Sequence, residues 1–114
     1  MKEIEYEGVN FIIGENAQEN WDILQLAKQN WLWFHLDNVT SPYVIIKESL
    51  KNLKSYSYNI SWKNYIIYAG LLCKQNSKYK NNNINCIWTE VKNVKKGSKV
   101  GEAIIKGKVT KFNI

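Results

Sequence analysis

The stretch Trp31–Lys47 constrains the fold more than any other part of the chain. Residues 32–37 alternate strictly in character, Leu32, Phe34 and Leu36 with Trp33, His35 and Asp37. Successive side chains of a β-strand point to opposite faces, so this strand has one fully apolar face and one aromatic and polar face. Residues 38–42, Asn-Val-Thr-Ser-Pro, supply turn chemistry. Residues 43–47 are apolar and β-branched, which is typical of a buried strand.

The two strands are predicted to pair as an antiparallel hairpin. Symmetry about the turn then fixes three cross-strand pairs: Asp37 with Tyr43, His35 with Ile45, and Trp33 with Lys47.

The N-terminal half also contains a strand hairpin and a helix. Val9–Gly14 has strand character, and the alternating residues 3–7 before it predict a partner strand that turns at Gly8. A helix is predicted from residue 16 or 17 to Lys28. Asn16 is its candidate N-cap, because Glu19 follows three residues later, as in a capping box.

A second helix is predicted from Ser61, as its cap, to about Gln75, and Gly70 within it allows close packing. Its apolar stripe is Trp62, Tyr65, Ile66, Ala69, Leu72 and Cys73. The polar segment 48–60 before it is predicted to be a loop with a short helical turn near residues 48–53.

Strand character returns at Ile84–Thr89, and a charged connector is predicted at 90–97. Val100–Ile105 and Lys108–Ile114 are predicted to form a final hairpin that turns at Lys106-Gly107. The order of elements indicates an α+β fold, a mostly antiparallel sheet with two main helices packed on one face. The length suits a single domain spanning residues 1–114.

Positive charge is concentrated in the second half of the chain. Residues 1–57 carry a net charge of −3, whereas residues 58–114 carry +9, and all sixteen basic residues are lysine. This asymmetry favours an anionic partner. The abundance of Lys, Asn, Ile and Tyr also fits A/T-rich codon usage. Such usage explains the total number of lysines better than it explains their uneven distribution between the two halves. Bidentate guanine reading and planar phosphate clamps rely largely on arginine, which the sequence lacks. Nucleic-acid binding is therefore expected to be weakly sequence-specific and strongly salt-dependent.

The candidate phosphate contacts are the lysines of the second half, above all the compact run Lys95-Lys96-Gly97-Ser98-Lys99. The full set is Lys74, Lys78, Lys80, Lys92, Lys95, Lys96 and Lys99. The alternative interpretation is an ordinary solvated charged face.

Aromatic and polar side chains near the hairpin are further candidates. Trp33 and Tyr43 suit stacking on unpaired bases, or they belong to the core. His35 either donates to a phosphate or ribose, or it is structural, bonded to a backbone carbonyl or to Asp37. Asn16 and Asn20 either cap the helix, the role we favour, or read a base.

Several classes of function are disfavoured. Cys73, Cys86 and His35 do not make a zinc site, and no metal or cofactor is expected. The chain lacks a Ser/His/Asp arrangement and a phosphate loop, so an enzyme is not expected. Neither a membrane span nor a signal peptide is present in the sequence, which predicts a cytoplasmic protein.

Three motifs in matching order resemble the NFACT-R domain, also called the DUF814 family, over roughly residues 9 to 114. The first is a strand-ending glycine and an asparagine six residues on, Gly14 and Asn20, before Asp22-Ile23-Leu24. The second is the strand Trp33-Phe34-His35. The third is Val91, Val94, Lys96, Gly97 and Gly101, leading into Val109–Phe112. The Ser-x-Tyr-Val ending of the turn, at Ser41–Val44, is most similar to the stand-alone eukaryotic branch that carries a coiled-coil tail.

The resemblance implies an RNA-binding domain without catalytic activity, linked to translation or ribosome quality control. Its partner would be tRNA, rRNA or DNA, with a ribosome-associated protein as a further partner. The alternative function, from a different class, is a protein–protein interaction module that docks through an apolar surface and does not bind nucleic acid.

Overall fold

The computed structural model describes residues 1–56 and 60–114. The strands are β1 Lys2–Tyr6, β2 Val9–Ile13, β3 Trp31–Leu36, β4 Val44–Ser49, β5 Asn85–Glu90, β6 Val94–Lys96, β7 Ala103–Ile105 and β8 Thr110–Asn113. The helices are α1 Ala17–Leu26, α2 Leu50–Tyr56 and α3 Trp62–Gln75, with a short 3₁₀ helix at Val91–Asn93. Six strands form one sheet in the order β1-β2-β4-β3-β5-β8, and β6 and β7 form a small second sheet. All pairs are antiparallel, which confirms the predicted α+β class.

The first hairpin turns at Gly8, as predicted. Glu7 and Gly8 have φ angles of 48° and 80°. Positive φ at both central residues is the pattern of a type I′ turn, whose twist matches that of the flanking strands. The acidic strand β1 pairs only with β2 and lies at one edge of the sheet.

Strands β3 and β4 pair as a hairpin, but the predicted register is wrong by two residues. Trp33 lies opposite Ile45 instead of Lys47. The turn is longer than symmetry suggests, because the last β3–β4 pair is Phe34 with Val44. On the other edge of β4, the Tyr43 carbonyl continues the pairing with β2 by accepting a hydrogen bond from the Gly14 amide at 3.0 Å. Ser41 closes the loop by accepting from the Leu36 amide at 3.0 Å. An even shift keeps every side chain on its predicted face.

Both faces of the central strands are buried, one under each main helix. On one face, Leu32, Phe34 and Leu36 pack with Tyr65, Ile66, Ala69 and Cys73 of α3. On the other, Trp33, Tyr43 and Ile45 pack with Ile23 and Leu24 of α1. The prediction that the helices share one face is therefore wrong. The bulky residues Trp33 and Ile45 make the second face apolar enough to require its own cover.

Local signals located the helix starts correctly. Asn16 Oδ1 accepts from the Glu19 amide at 2.9 Å, and Ser61 Oγ accepts from the Lys63 amide at 3.2 Å. Helix α1 ends at Leu26, two residues earlier than predicted. Gly70 does allow close packing, since a Cβ there would lie 2.6 Å from Phe112 Cζ. The segment 48–60, predicted as a loop, contains the end of β4 at Ser49 and then α2. Residues 57–59 of this segment lie outside the described residues.

The predicted final hairpin is wrong. The chain bends at Gly107, but β7 pairs with β6 and β8 pairs with β5. The segment predicted as a charged connector thus contains a strand, and its Val94 is buried on the α1 side. Val94 is buried there, and the partly buried Ala103 and Ile105 pack beside it, which places β7 with β6 instead of β8. Strand β8 is left to complete the edge of the main sheet, with Phe112 packed on Gly70.

Candidate nucleic-acid interface

An open groove of about 1310 Å³ lies beside the start of α1, the turn after β3 and the loop 97–102. Residues from all three motifs line it, Gly14 and Asn20, Trp33 and His35, and Gly101, together with the helix cap Asn16. The other motif residues do not. Phe34 faces α3 in the opposite core, and Gly97 lies outside the lining. The groove thus brings together residues from segments up to about 87 positions apart in the sequence.

Gly14 and Asn20 form one wall. A Cβ on Gly14 would overlap the Asn20 side chain and lie 2.8 Å from the Asn20 backbone nitrogen, so the close approach requires glycine. Asn20 Oδ1 accepts from the Tyr43 amide at 2.9 Å, and the residue is only 6% exposed. The helix cap is therefore Asn16 alone, and the prediction of capping by Asn20 is wrong. Asn20 instead joins α1 to the start of β4.

His35 lies half-buried on β3 beside two aromatic rings. A carbonyl can only accept, so the 2.6 Å contact of Nδ1 with Leu36 O places the ring proton on Nδ1. Burial lowers the pKa of His35, while the Leu36 carbonyl, Asp37 and the Ser41 backbone partly oppose that shift. The imidazole is therefore neutral at pH 7. Of the two structural partners considered from sequence, the backbone carbonyl is the one observed.

Trp33 and Tyr43 are not available for stacking. They are 1% and 0% exposed, and their rings meet edge to face at 5.3 Å between centroids. The stacking role predicted for them does not fit, because both rings belong to the core under α1. Trp33 also stacks on His35 at 5.7 Å. Its buried indole Nε1 has no acceptor among residues 1–56 and 60–114.

The loop 97–102 also lines the groove, with Gly101 packed against Ala17 of α1, and is fixed by side chains from the main body. The Tyr43 hydroxyl donates to Gly101 O at 2.6 Å, and Trp21 Nε1 donates to Glu102 O at 3.0 Å. Within the loop, Glu102 Oε1 accepts from the Ser98 amide at 2.9 Å. Burial, with a smaller effect of Glu102, raises the pKa of Tyr43 to about 12, so its hydroxyl remains a donor.

Two of the seven predicted lysines, Lys78 and Lys99, line the groove. Lys2 also lines the groove. The sequence did not indicate this lysine as a candidate, because it lies in an acidic N-terminal strand. Lys92 lies 3.7 Å from Glu90, and Lys96 Nζ donates to Gln25 at 2.6 Å over the Trp21 ring. Within the described part of the chain, the remaining predicted lysines make no ion pair: Lys74, Lys78, Lys80, Lys95 and Lys99.

The sequence matches the family model described as the NFACT protein RNA binding domain, over residues 3–112. The chain belongs to this family. A solved structure of the C-terminal of the fibronectin/fibrinogen-binding protein from Streptococcus suis has the same fold, with a TM-score of 0.80 and 22% identity. The match covers 98% of this chain and 43% of that one, so the chain spans less than half of its length. No curated protein matches the sequence.

This NFACT RNA-binding domain offers no cluster of three or more His, Cys, Asp or Glu side chains for a metal within its described residues. Its two cysteines are free and buried, and burial, with Cys86 as neighbour, raises the pKa of Cys73. None of the helices in the described ranges is both long and apolar enough to span a membrane.

Proposed function

We propose that this domain binds RNA at the groove, with phosphates held by lysines at its rim. The observation that carries the proposal is the convergence of three separated family motifs on one groove, where Lys78 and Lys99 are exposed and unpaired by any described carboxylate. The other unpaired lysines would contact phosphates of the same strand beyond the groove. Membership of an RNA-binding family supports this assignment.

The chemistry of the rim favours binding that depends little on the RNA sequence. Lysine ammoniums are point charges that tolerate many phosphate geometries, so they do not by themselves read sequence. Each phosphate contact should contribute about −0.7 to the log–log salt slope. A tRNA or rRNA partner, a ribosome-associated protein partner, a role in translation and a cytoplasmic location belong to this proposal, as does a single domain over 1–114.

The test is fluorescence anisotropy with labelled single-stranded RNA, tRNA and duplex DNA at low and physiological salt. The double variant Lys78→Glu, Lys99→Glu should weaken RNA binding by roughly tenfold or more and reduce the salt slope by about 1.4. Lys51→Glu, Lys63→Glu is the matched control, since it changes charge equally at exposed helical positions outside the groove lining. Equal losses in both variants would mean that only net charge matters, which would contradict a localised site.

A second candidate is a protein-interaction module, favoured by an apolar depression of about 340 Å³ between α3 and β8. Its apolar lining is Trp62, Ile66, Ile67, Trp88 and Phe112, and Ile67 and Leu71 are exposed on the same helix. Binding there should respond little to salt. Ile67→Glu should abolish it and leave RNA binding unchanged.

A further inference from the structure

The main sheet ends in two open edges of opposite charge. Strand β1 forms one edge and β8 the other, and within the described residues neither pairs with a strand on its outer side. Residues 2–7 carry three glutamates and one lysine, whereas residues 108–113 carry two lysines and no acid. An open edge can pair with a strand of another chain. Like charges oppose the pairing of two identical edges, whereas opposite charges favour the pairing of β1 with β8.

The backbone groups that each edge directs outward follow from the pairing on its inner side. In an antiparallel pair, every second residue exchanges two hydrogen bonds with its partner, and the residues between direct their amides and carbonyls away. Ile114 exchanges both bonds with the chain just before β5, at 2.9 and 3.2 Å from N to O, so Lys111 and Asn113 of β8 face outward. In the first hairpin the residues that flank the type I′ turn form such a pair, so Glu3 and Glu5 of β1 face outward.

One register matches the two edges in direction, side-chain face and charge. Neighbouring strands of the main sheet are antiparallel throughout, so a copy that continues the sheet in the same orientation presents its β1 antiparallel to β8. Placing Glu5 opposite Lys111 brings the outward amides and carbonyls of both strands together. The same register places Ile4 opposite Phe112, and both residues lie on the α3 side of the sheet. Apolar side chains therefore meet on one face and opposite charges on the other.

We propose that copies of this chain associate head to tail, with β1 of one copy adding to β8 of the next. Such a contact is heterologous, so each added copy again presents one free edge of each kind. It uses few residues of each strand, which makes it a weak contact. Lys111 also bonds Asp37 of its own copy at 2.8 Å, and its ammonium has three donors, so it can serve both carboxylates. The inference does not depend on the proposed RNA binding.

The direct test is a dilution series of the native chain, free of nucleic acid, followed by sedimentation velocity and ¹⁵N-resolved NMR. The series starts at about 1 mM, at which even a millimolar contact is substantially populated. The sedimentation coefficient should rise with concentration. The amide signals of β1 and β8 should shift together, while those of the central strand β3 stay fixed. A monomer over the whole range, or shifts confined to one of the two edges, would overturn the proposal.

Charge reversal at the central pair tests the register. Glu5→Lys and Lys111→Glu should each weaken self-association about tenfold, because each places like charges opposite one another. The double variant Glu5→Lys, Lys111→Glu again has opposite charges at this pair and should associate as the native chain does. An equimolar mixture of the two single variants should associate for the same reason. Melting curves verify that each variant folds.

The two single variants also separate a specific contact from an effect of net charge. Glu5→Lys raises the net charge and Lys111→Glu lowers it by the same amount. If net charge alone governed association, the first would weaken it and the second would strengthen it, and this result would refute the proposed contact. A folded double variant that stays monomeric would do the same. Lys51→Glu, at an exposed position of α2, is the control for lowered net charge and should not weaken association.

Discussion

Asn20 is predicted to stabilise the fold through one hydrogen bond that no neighbour replaces. Its Oδ1 accepts from the Tyr43 amide at 2.9 Å, and Tyr43 is fully buried. Asn20→Ala would leave that amide without an acceptor and without access to water. Because the bond joins α1 to the start of β4, its loss should also loosen the wall of the groove.

The magnitude follows from two opposing contributions. An unsatisfied buried amide lowers the free energy of unfolding by about 1–3 kcal/mol. Alanine is a better helix former than asparagine by about 0.5 kcal/mol, which offsets part of the loss. The net loss should be about 1.5 kcal/mol, and for a chain of this size it lowers the melting temperature by about 6 °C.

Urea denaturation followed by tryptophan fluorescence measures this difference. Gln18→Ala is the matched control on the same helix, since its side chain bonds Asp22 at the exposed surface, and it should change stability by less than about 0.5 kcal/mol. If Asn20→Ala were as mild as Gln18→Ala, the Tyr43 amide would have another partner and the reasoning would be refuted.

Two further predictions concern packing and pH. Gly14→Ala should lower the free energy of unfolding by about 2 kcal/mol, because its Cβ meets the Asn20 backbone, and chemical denaturation should rank this loss above that of Gly70→Ala. In Gly70→Ala the new Cβ clashes with the Phe112 ring alone, and the better helix propensity of alanine offsets about 1 kcal/mol of the loss. A larger loss for Gly70→Ala than for Gly14→Ala would contradict the packing described. Burial lowers the folded-state pKa of His35 below its ordinary 6.5, so the unfolded chain binds this proton more readily. The contribution of neutral His35 to stability should be complete above pH 6.5 and lost as pH falls through the folded-state pKa. Urea midpoints at pH 7.5 and 5 should therefore differ more for the native chain than for His35→Gln. Equal pH responses of the two chains would contradict this prediction.

The features predicted correctly are those encoded by neighbouring residues. The two faces of β3 follow from alternation over six positions, and the caps at Asn16 and Ser61 follow from side chains that bond amides two or three residues away. Partner choice between strands is different. The bend at Gly107 is compatible with both pairings, and β7 joins β6 where Val94, Ala103 and Ile105 pack in the core on the α1 side.

In the candidate site, too, local features could be predicted from the sequence and long-range contacts could not. The motif residues Gly14, Asn20 and His35 can be recognised one by one, but the bond of Asn20 to Tyr43 spans 23 positions and has no local signal. The burial of Trp33 depends on α1 covering its face of the sheet, which the alternation of β3 does not reveal. Counting charges along the sequence showed that most lysines lie in the second half. It could not distinguish Lys78 and Lys99, which line the groove, from Lys96, which bonds Gln25 and lies over the Trp21 ring.

The anchoring of the loop 97–102 by Tyr43 and Trp21 has a consequence for the thermodynamics of recognition. A wall that is already in place does not lose conformational entropy when a ligand arrives, so the groove is preorganised on this side. With RNA bound as proposed, the ordering that accompanies complex formation falls on the RNA and on the lysine side chains at the rim. Under that proposal, unstructured strands should bind with a larger entropic penalty than RNA that is already folded.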